Sequence, residues 1–440
     1  MSQAILRAAG GALLVLSLQA AWAAEPATTR VNENRPVGAF RQIDVSGPYH
    51  VVVQAQAAGK TALELSGERK QLDEVETLVQ GDTLVIRPLK RIGFHFSFGK
   101  TREAVTIRVS APGLKSLRNG GSGDVELEQV SADQFSLNND GSGEVRANGA
   151  VKDLTVNNRG SGDLDLHNLR AANLGLRMDG SGDVYVANLT GELSAEIKGS
   201  GDLRADNLRT NSLRLQQRGS GNARLSGATR ELKAELNGSG DLEACALAAE
   251  VVSTQLRGPG NACVAGTIKK FDGEVHGSGD LSVRGLQAGS LRLLMDGPGE
   301  ASLSGSAVQA SIELSGSGAL DAHALQTRNM SVRGRGAGDL ALGSISESLD
   351  AEVRGSGELK AAISGKRALL KLGGAGDTRL EGSVDQLNAQ LSGSGNLDGR
   401  NLVAAHSDVS VRGPGSASYS QKAQGQLRPV TVERGGSHQQ

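Results

Sequence analysis

Carboxylates are the residues of this chain most open to a chemical reading. Asp124, Asp163, Asp183, Asp202, Asp241, Asp280, Asp339 and Asp377, with Glu144, Glu300 and Glu358, each close a short Gly-x-Gly motif. Set side by side, such acids would form a ladder able to attract Ca²⁺, with Asp124, Asp163, Asp183, Asp202 and Asp241 as its candidate ligands. Two facts weigh against the metal. Asn222, Asn261, Asn396, Ala319 and Ser416 interrupt the series, and a hard cation gathers six to eight oxygens around itself rather than one per repeat. The alternative is structural: the Asp side chain accepts backbone N–H groups and stabilises a turn. On this reading the chain has no metal site and no cofactor.

Other candidates are sparser. Asp140, Arg159, Asp179, Lys198, Arg218, Asn237, Arg257, His276 and Asp296 each precede a motif. They read as pairs of opposite charge or, alternatively, as an arginine track for an anionic polysaccharide. The seven histidines (His50, His95, His167, His276, His323, His406, His438) share no metal-ligand spacing. Polysaccharide-cleaving sites need paired carboxylates, usually with aromatics to hold the sugar. The repeats offer only Phe135, Tyr185, Phe271 and Tyr419 as aromatics, and no Gly-x-Ser-x-Gly elbow is recognisable. An enzyme is therefore not expected, and no catalytic residue is assigned.

Two local features remain. Cys245 and Cys263 stand seven and five positions after their motif glycines. That diagonal places the Cα atoms beyond the roughly 7 Å reach of an unstrained bridge, so the spacing argues against a disulfide. Gly93-Phe94-His95-Phe96-Ser97-Phe98-Gly99 alternates three aromatics between basic residues. Phe94, Phe96 and Phe98 are either an internal plug or an exposed apolar tip that touches a partner or membrane.

The elements that position these residues follow from the spacing of the motifs. Gly-Ser-Gly-Asp or a close relative begins at sixteen positions from Gly121 to Gly413, always 19 or 20 residues apart. Apolar residues alternate after each motif, as in Leu164 and Leu166, and again before the next, as in Leu174, Leu176 and Met178. Period two means strands, two per coil. Such a unit closes a core only by stacking on its copies. The fold class predicted is all-β: a parallel β-solenoid of about 16 coils of 19 or 20 residues, about 75 Å long at about 4.8 Å per coil. The extra residue of the longer coils belongs to the connection between the strands, which carries Asn-Leu in long coils and Gly in short ones.

The ends divide the chain further. Residues 1–23 carry Arg7, an apolar run and Ala21-Trp22-Ala23, which reads as a signal peptide. Residues 24–118 read as an irregular β head that caps the stack, 119–419 as the solenoid, and 420–440 as a polar, disordered tail. An aromatic content of 2% excludes an outer-membrane barrel with its aromatic girdles. A net charge of -1 lacks the electrostatic footprint of a nucleic-acid binder.

FRQIDVSGPYHVVV, GDTLVIRP and VTIRVSAPGLKSLRNGGSGDV, followed by serial Gly-Ser-Gly-Asp coils, resemble the putative auto-transporter adhesin head GIN domain family, a domain of unknown function. The resemblance covers about Arg35 to Tyr419. It implies a right-handed parallel β-helix exported by a bacterium, with no established activity. The expectation is thus an exported, non-catalytic, adhesin-like protein of the periplasm or cell surface of a Gram-negative bacterium. Its partners would be a glycan or an envelope or cell-surface protein, with no nucleic acid and no transmembrane segment in the mature chain. The alternatives are a periplasmic envelope scaffold or glycan-binding module and, more weakly, a polysaccharide-active enzyme.

Overall fold

The computed structural model describes residues 30–55, 60–89, 104–423, 426–434 and 436–439. It is 70% strand and 1% helix, and it forms a parallel β-solenoid of about 15 turns. Sixteen motifs enclose fifteen intervals, which reconciles this with the count of coils read from the sequence. The register repeats without slippage at the first apolar position of every coil: Val125 pairs with Val145, Val145 with Leu164, Leu203 with Ala223 and Leu397 with Ala417.

The two alternating segments of each coil are its two arms. In most coils hydrogen bonding continues between them, so Val125–Asn139, Val145–Asn158 and Leu164–Met178 each run as one strand of 14 or 15 residues. In the Gly180 coil the arms are separate, as Val184–Ala187 and Glu192–Ile197. Where a long coil meets a short one the register shifts in the connection, as between Ala147 and Gly149 or between Ala205 and Leu208. Equal length permits an unshifted pairing, as between the Gly355 and Gly374 coils, both 19 residues, but does not impose it, since the Gly336 and Gly355 coils, also both 19 residues, shift between Ala341 and Ser344 and between Ile345 and Ser348. Left-handed backbone clusters at this corner, with φ of 135° at Gly149, 118° at Gly227 and 54° at Asn207.

That connection is also a third inward wall. Leu169 and Ala171, Leu247 and Ala249, and Leu286 and Ala288 are all buried alongside the two arms. Each fully buried Leu contributes about 1.5–3 kcal/mol relative to exposure, and the core is one continuous column of such side chains. Local volume is balanced within it: a Cβ on Gly273 would lie 2.7 Å from the Phe271 ring, so the glycine makes room for the aromatic.

The motif glycines answer to close approach rather than to left-handed backbone. A Cβ on Gly199 would lie 1.8 Å from the Gly180 oxygen of the coil below, and one on Gly201 would lie 2.2 Å from that of Gly182. Coils stack through these corners by backbone contacts such as Ser200 N–H to Gly180 O at 3.2 Å.

Residues before the first motif join the same stack. Gln42–Val45 runs parallel to Ser116–Asn119 and to Thr83–Pro88, and His50–Gln54 runs parallel to Val125–Asn139 and to Thr106–Ser110. Gly47 and Tyr49 lie directly beneath Gly121 and Gly123. Beyond them the pairing turns antiparallel: Arg30–Arg35 lies on Ala62–Glu68, and Val75–Gln80 on Thr83–Pro88.

The last residues differ from the expected disordered tail. Ala417–Ala423, Gln426–Glu433 and Gly436–Gln439 form an antiparallel meander, and Val430 and Val432 are buried. The apolar alternation there spans only Val430-Thr431-Val432, too short to stand out among polar residues. Residues 1–23, read as a signal peptide, lie outside the described residues. No helix among the described residues is long and apolar enough to cross a membrane.

Candidate functional site

Each motif acid sits one coil beneath its counterpart, and each motif Asp side chain reaches upward, whereas Glu144 and Glu358 turn to Arg146 and Lys360. Asp163 Oδ1 accepts the backbone N–H of Asp183 at 2.8 Å, Asp183 that of Asp202 at 2.8 Å, and Asp202 that of Asn222 at 2.7 Å. The series continues through Asn222, Asp241, Asn261 and Asp280. An amide oxygen does this as well as a carboxylate, which is why Asn interrupts the acids freely. Among the described residues no group of three or more His, Cys, Asp or Glu side chains is placed to hold a metal ion.

Beside the acids, two positions further along each coil, runs a second outward column. Its member Tyr185 is the one Phe, Tyr or Trp among the described residues that is not buried. Both of its faces are covered. His167 stacks on one with ring centroids 5.1 Å apart, and the Arg204 guanidinium lies 4.9 Å over the centroid of the ring. Arg204 is further held by Asp206 at 2.6 Å, and Ser226 donates to Asp206 at 2.7 Å. Burial works to raise the Asp206 carboxyl, but hydrogen bonds from Ser226 and Arg204 outweigh it and keep the group below its ordinary range. In the next coil Arg224 binds Glu243 at 2.6 Å, and this hydrogen bond lowers the pKa of Glu243.

Between the two columns the surface recedes into three hollows on one line. The first, about 300 Å³, is lined by Asp183, Tyr185, Asp202, Arg204, Arg224 and Glu243 among others. The second, about 410 Å³, lies between Asp241 and Ser302, and the third, about 330 Å³, between Glu358 and Ser418. The sequence named the acids and Tyr185 but not this trough. Its outer wall occupies alternate positions whose residue types change from coil to coil, so no motif marks it.

The charged residues before the motifs do pair, though largely on the diagonal. Glu196 receives Arg177, Lys198 and Arg218 at 2.9, 2.8 and 2.8 Å. Arg118 and Arg159 flank Asp140. His276 contacts Asp296 at 2.8 Å and Glu274 at 3.4 Å, and the bond to Asp296, helped by Glu274, raises its pKa. Arginines so engaged do not make a free anion track.

The expectation for the cysteines is overturned. Cys245 and Cys263 form a disulfide, with Cα atoms 5.3 Å apart. The flat-sheet diagonal overestimated the distance because the register shifts between Ala244 and Ala248, beside Cys245. Phe94, Phe96 and Phe98, proposed above as a partner contact, lie outside the described residues.

A polar feature inside the core went unread in the sequence. Asn119, Asn139 and Asn158 are fully buried at the position that Met178 and Ile197 fill in later coils. Asn119 Nδ2 donates to Asn139 Oδ1, and Asn139 Nδ2 to Asn158 Oδ1, each at 3.1 Å. The signal was available, since all three stand two residues before a motif glycine.

The family model described as "putative auto-transporter adhesin, head GIN domain" matches the chain four times, over residues 39–207, 188–286, 265–362 and 346–429. Solved structures resemble it more loosely. A "putative lipid binding protein" from Parabacteroides distasonis ATCC 8503 is 18% identical, with a TM-score of 0.34 over 62% of this chain and 95% of its own. A "putative adhesin" from Bacteroides fragilis NCTC 9343 is 16% identical, with a TM-score of 0.25 over 67% of this chain and 98% of its own. Another from Parabacteroides merdae ATCC 43184 is 13% identical, with a TM-score of 0.31 over 76% and 95%. No curated protein matches the chain.

Proposed function

The chain belongs to the family described as "putative auto-transporter adhesin, head GIN domain", and on that footing we propose that it is an exported, non-catalytic interaction protein with an adhesin-like role at the cell surface. The observation that carries the reading is the use made of its acids. The motif aspartates, the residues most numerous among the candidate acids, each hold the next coil by an N–H bond, as Asp183 holds Asp202 at 2.8 Å. They serve as scaffold, and the scaffold presents the same outward positions again and again. A rigid repeat surface of this kind suits recognition of an extended partner. The Cys245–Cys263 bridge supports export, because such bonds persist in oxidising compartments.

Protease accessibility on intact cells tests this proposal. Digestion of the protein without permeabilising the outer membrane is the expected result. Digestion only after permeabilisation would overturn the surface role and leave a periplasmic scaffold or glycan-binding module as the reading.

A further inference from the structure

We propose that the trough between the acid column and the Tyr185 column binds a neutral, hydroxyl-rich linear polysaccharide laid along the stack axis. The proposal rests on the interaction reading above and names its ligand class. Three observations lead to it.

The first is unused hydrogen-bonding capacity of both signs. Each motif Asp engages its Oδ1 with the coil above, while Oδ2 of Asp183, Asp202 and Asp241 has no hydrogen-bond partner among the described residues. These acceptors stand one coil apart at Asp183 and Asp202 and two apart at Asp202 and Asp241, where Asn222 intervenes, in a stack that rises about 4.8 Å per coil. Arg204 and Arg224 face them across the trough, each guanidinium with five donors and only part of them engaged. A hydroxyl group both donates and accepts, and so uses both walls.

The second is a local cost to the fold. Arg204 and Arg224 are direct register partners in adjacent coils, and like charges placed opposite each other are destabilising. Asp206 fixes Arg204 from the side, Glu243 fixes Arg224 from the coil above, and the Tyr185 ring fixes Arg204 from below. Like-charged register partners also occur outside the trough, at Arg214 and Lys233, so the Arg204–Arg224 pair points to a site only together with the unused acceptors beside it. Tyr185, covered on both faces, is a positioning residue here and not a stacking platform.

The third is charge and shape. In each of the three hollows the carboxylates outnumber the guanidinium groups, which disfavours polyanions, while a polycation would leave the guanidinium donors without an acceptor. The hollows fall on one line from Asp183 to Ser418. A linear ligand long enough to reach two of them gains by effective concentration without any new type of contact.

Calorimetric titration of the full-length protein tests the proposal with tetramers and dodecamers of neutral glucose, mannose, galactose and N-acetylglucosamine series, and with oligogalacturonates of the same lengths. The expected result is that at least one neutral series binds and tightens tenfold or more from tetramer to dodecamer. Arg224→Gln and Asp202→Asn should each weaken that binding at least tenfold. Asp202→Asn keeps Oδ1 for the ladder, as Asn222 does naturally, and removes only the free carboxylate oxygen. Absence of neutral binding, tighter binding of oligogalacturonate, or wild-type affinity in both variants at unchanged melting temperature overturns the proposal. A protein accessible on intact cells that binds no saccharide would lose the trough assignment alone and keep its surface role.

Discussion

The carbonyl oxygen of Gly180 occupies the place where a Cβ on Gly199 would stand, 1.8 Å away. The contact is backbone against backbone, so no side-chain rotation relieves it. Gly199→Ala should therefore separate the two corners and destabilise the stack by on the order of 1–3 kcal/mol. Gly175 is the control, because a Cβ there meets nothing within 4 Å. Gly175→Ala should be neutral or stabilising by up to about 1 kcal/mol. Hydrogen exchange is the suitable measurement, since a long repeat array need not unfold in one step. Protection should fall around the Gly180 and Gly199 coils in the first variant only.

The buried asparagines make a prediction about additivity. Asn139→Ala leaves Asn119 Nδ2 and Asn158 Oδ1 without each other's intermediary, at a cost of about 1–3 kcal/mol. Replacing Asn119, Asn139 and Asn158 together by Leu should cost less than the three Ala variants summed, because no amide of the ladder is left half-satisfied and only backbone groups such as Gly121 N–H and Gly182 O lose a partner. Chemical denaturation of the set checks this, and strict additivity would show that the three do not act as a ladder.

The Asp202 ladder position separates hydrogen bonding from charge. Asp202→Asn should leave thermal stability unchanged to within about 0.5 kcal/mol, while Asp202→Ala, which strands the Asn222 N–H, should cost about 1 kcal/mol. Equal losses in the two variants would show that the charge, not the acceptor, matters.

His276 gives the stack a pH dependence of defined sign. Its pKa is raised above 6.5, first by the hydrogen bond to Asp296 and then by Glu274. A raised histidine contributes stability that is fully present below its unfolded pKa and is lost as pH rises through the folded one. His276→Gln should thus melt earlier than wild type at pH 5, and the gap should close as pH rises beyond the folded pKa. A gap that widens with pH would reverse the assignment.

Reduction should be felt at Cys245 and Cys263. The bridge closes a separation of 18 residues, for which chain entropy predicts roughly 3 kcal/mol. Dithiothreitol, or Cys245→Ser with Cys263→Ser, should lower the resistance of the Gly238 and Gly258 coils to protease. Unchanged cleavage there would mean that the bridge adds nothing to coils already held by hydrogen bonds.

Much of this architecture is legible from residue spacing. Val125, Val145 and Leu164 announce their register because their periodicity is tied to the glycine motif, and the motif repeats. The third wall was harder to see. Leu169 and Ala171 follow Asn168 in a segment whose length varies between coils, and a variable segment reads as a loop even when its side chains face inward. The cysteine bridge was missed because a pairing rule for flat sheets was applied across the register shift beside Cys245. The trough was missed for a different reason. It is built from residues such as Tyr185, Arg204 and Arg224 that resemble one another in position and not in type.

The shift of register at the connection gives the molecule a unit of growth. From Gly160 to Gly199, Gly199 to Gly238 and Gly238 to Gly277 the interval is always the sum of one short and one long coil. A duplication or loss of such a pair restores the alternation at both junctions, whereas a single coil would place two like connections in contact, as only the later coils do. In the alternating coils a change of reach that reuses only the junctions found there comes in steps of about two coil rises, near 10 Å, whereas the later coils, with like neighbours from Gly336 to Gly393, also admit single steps. Length, in this fold, is a heritable dial with discrete settings.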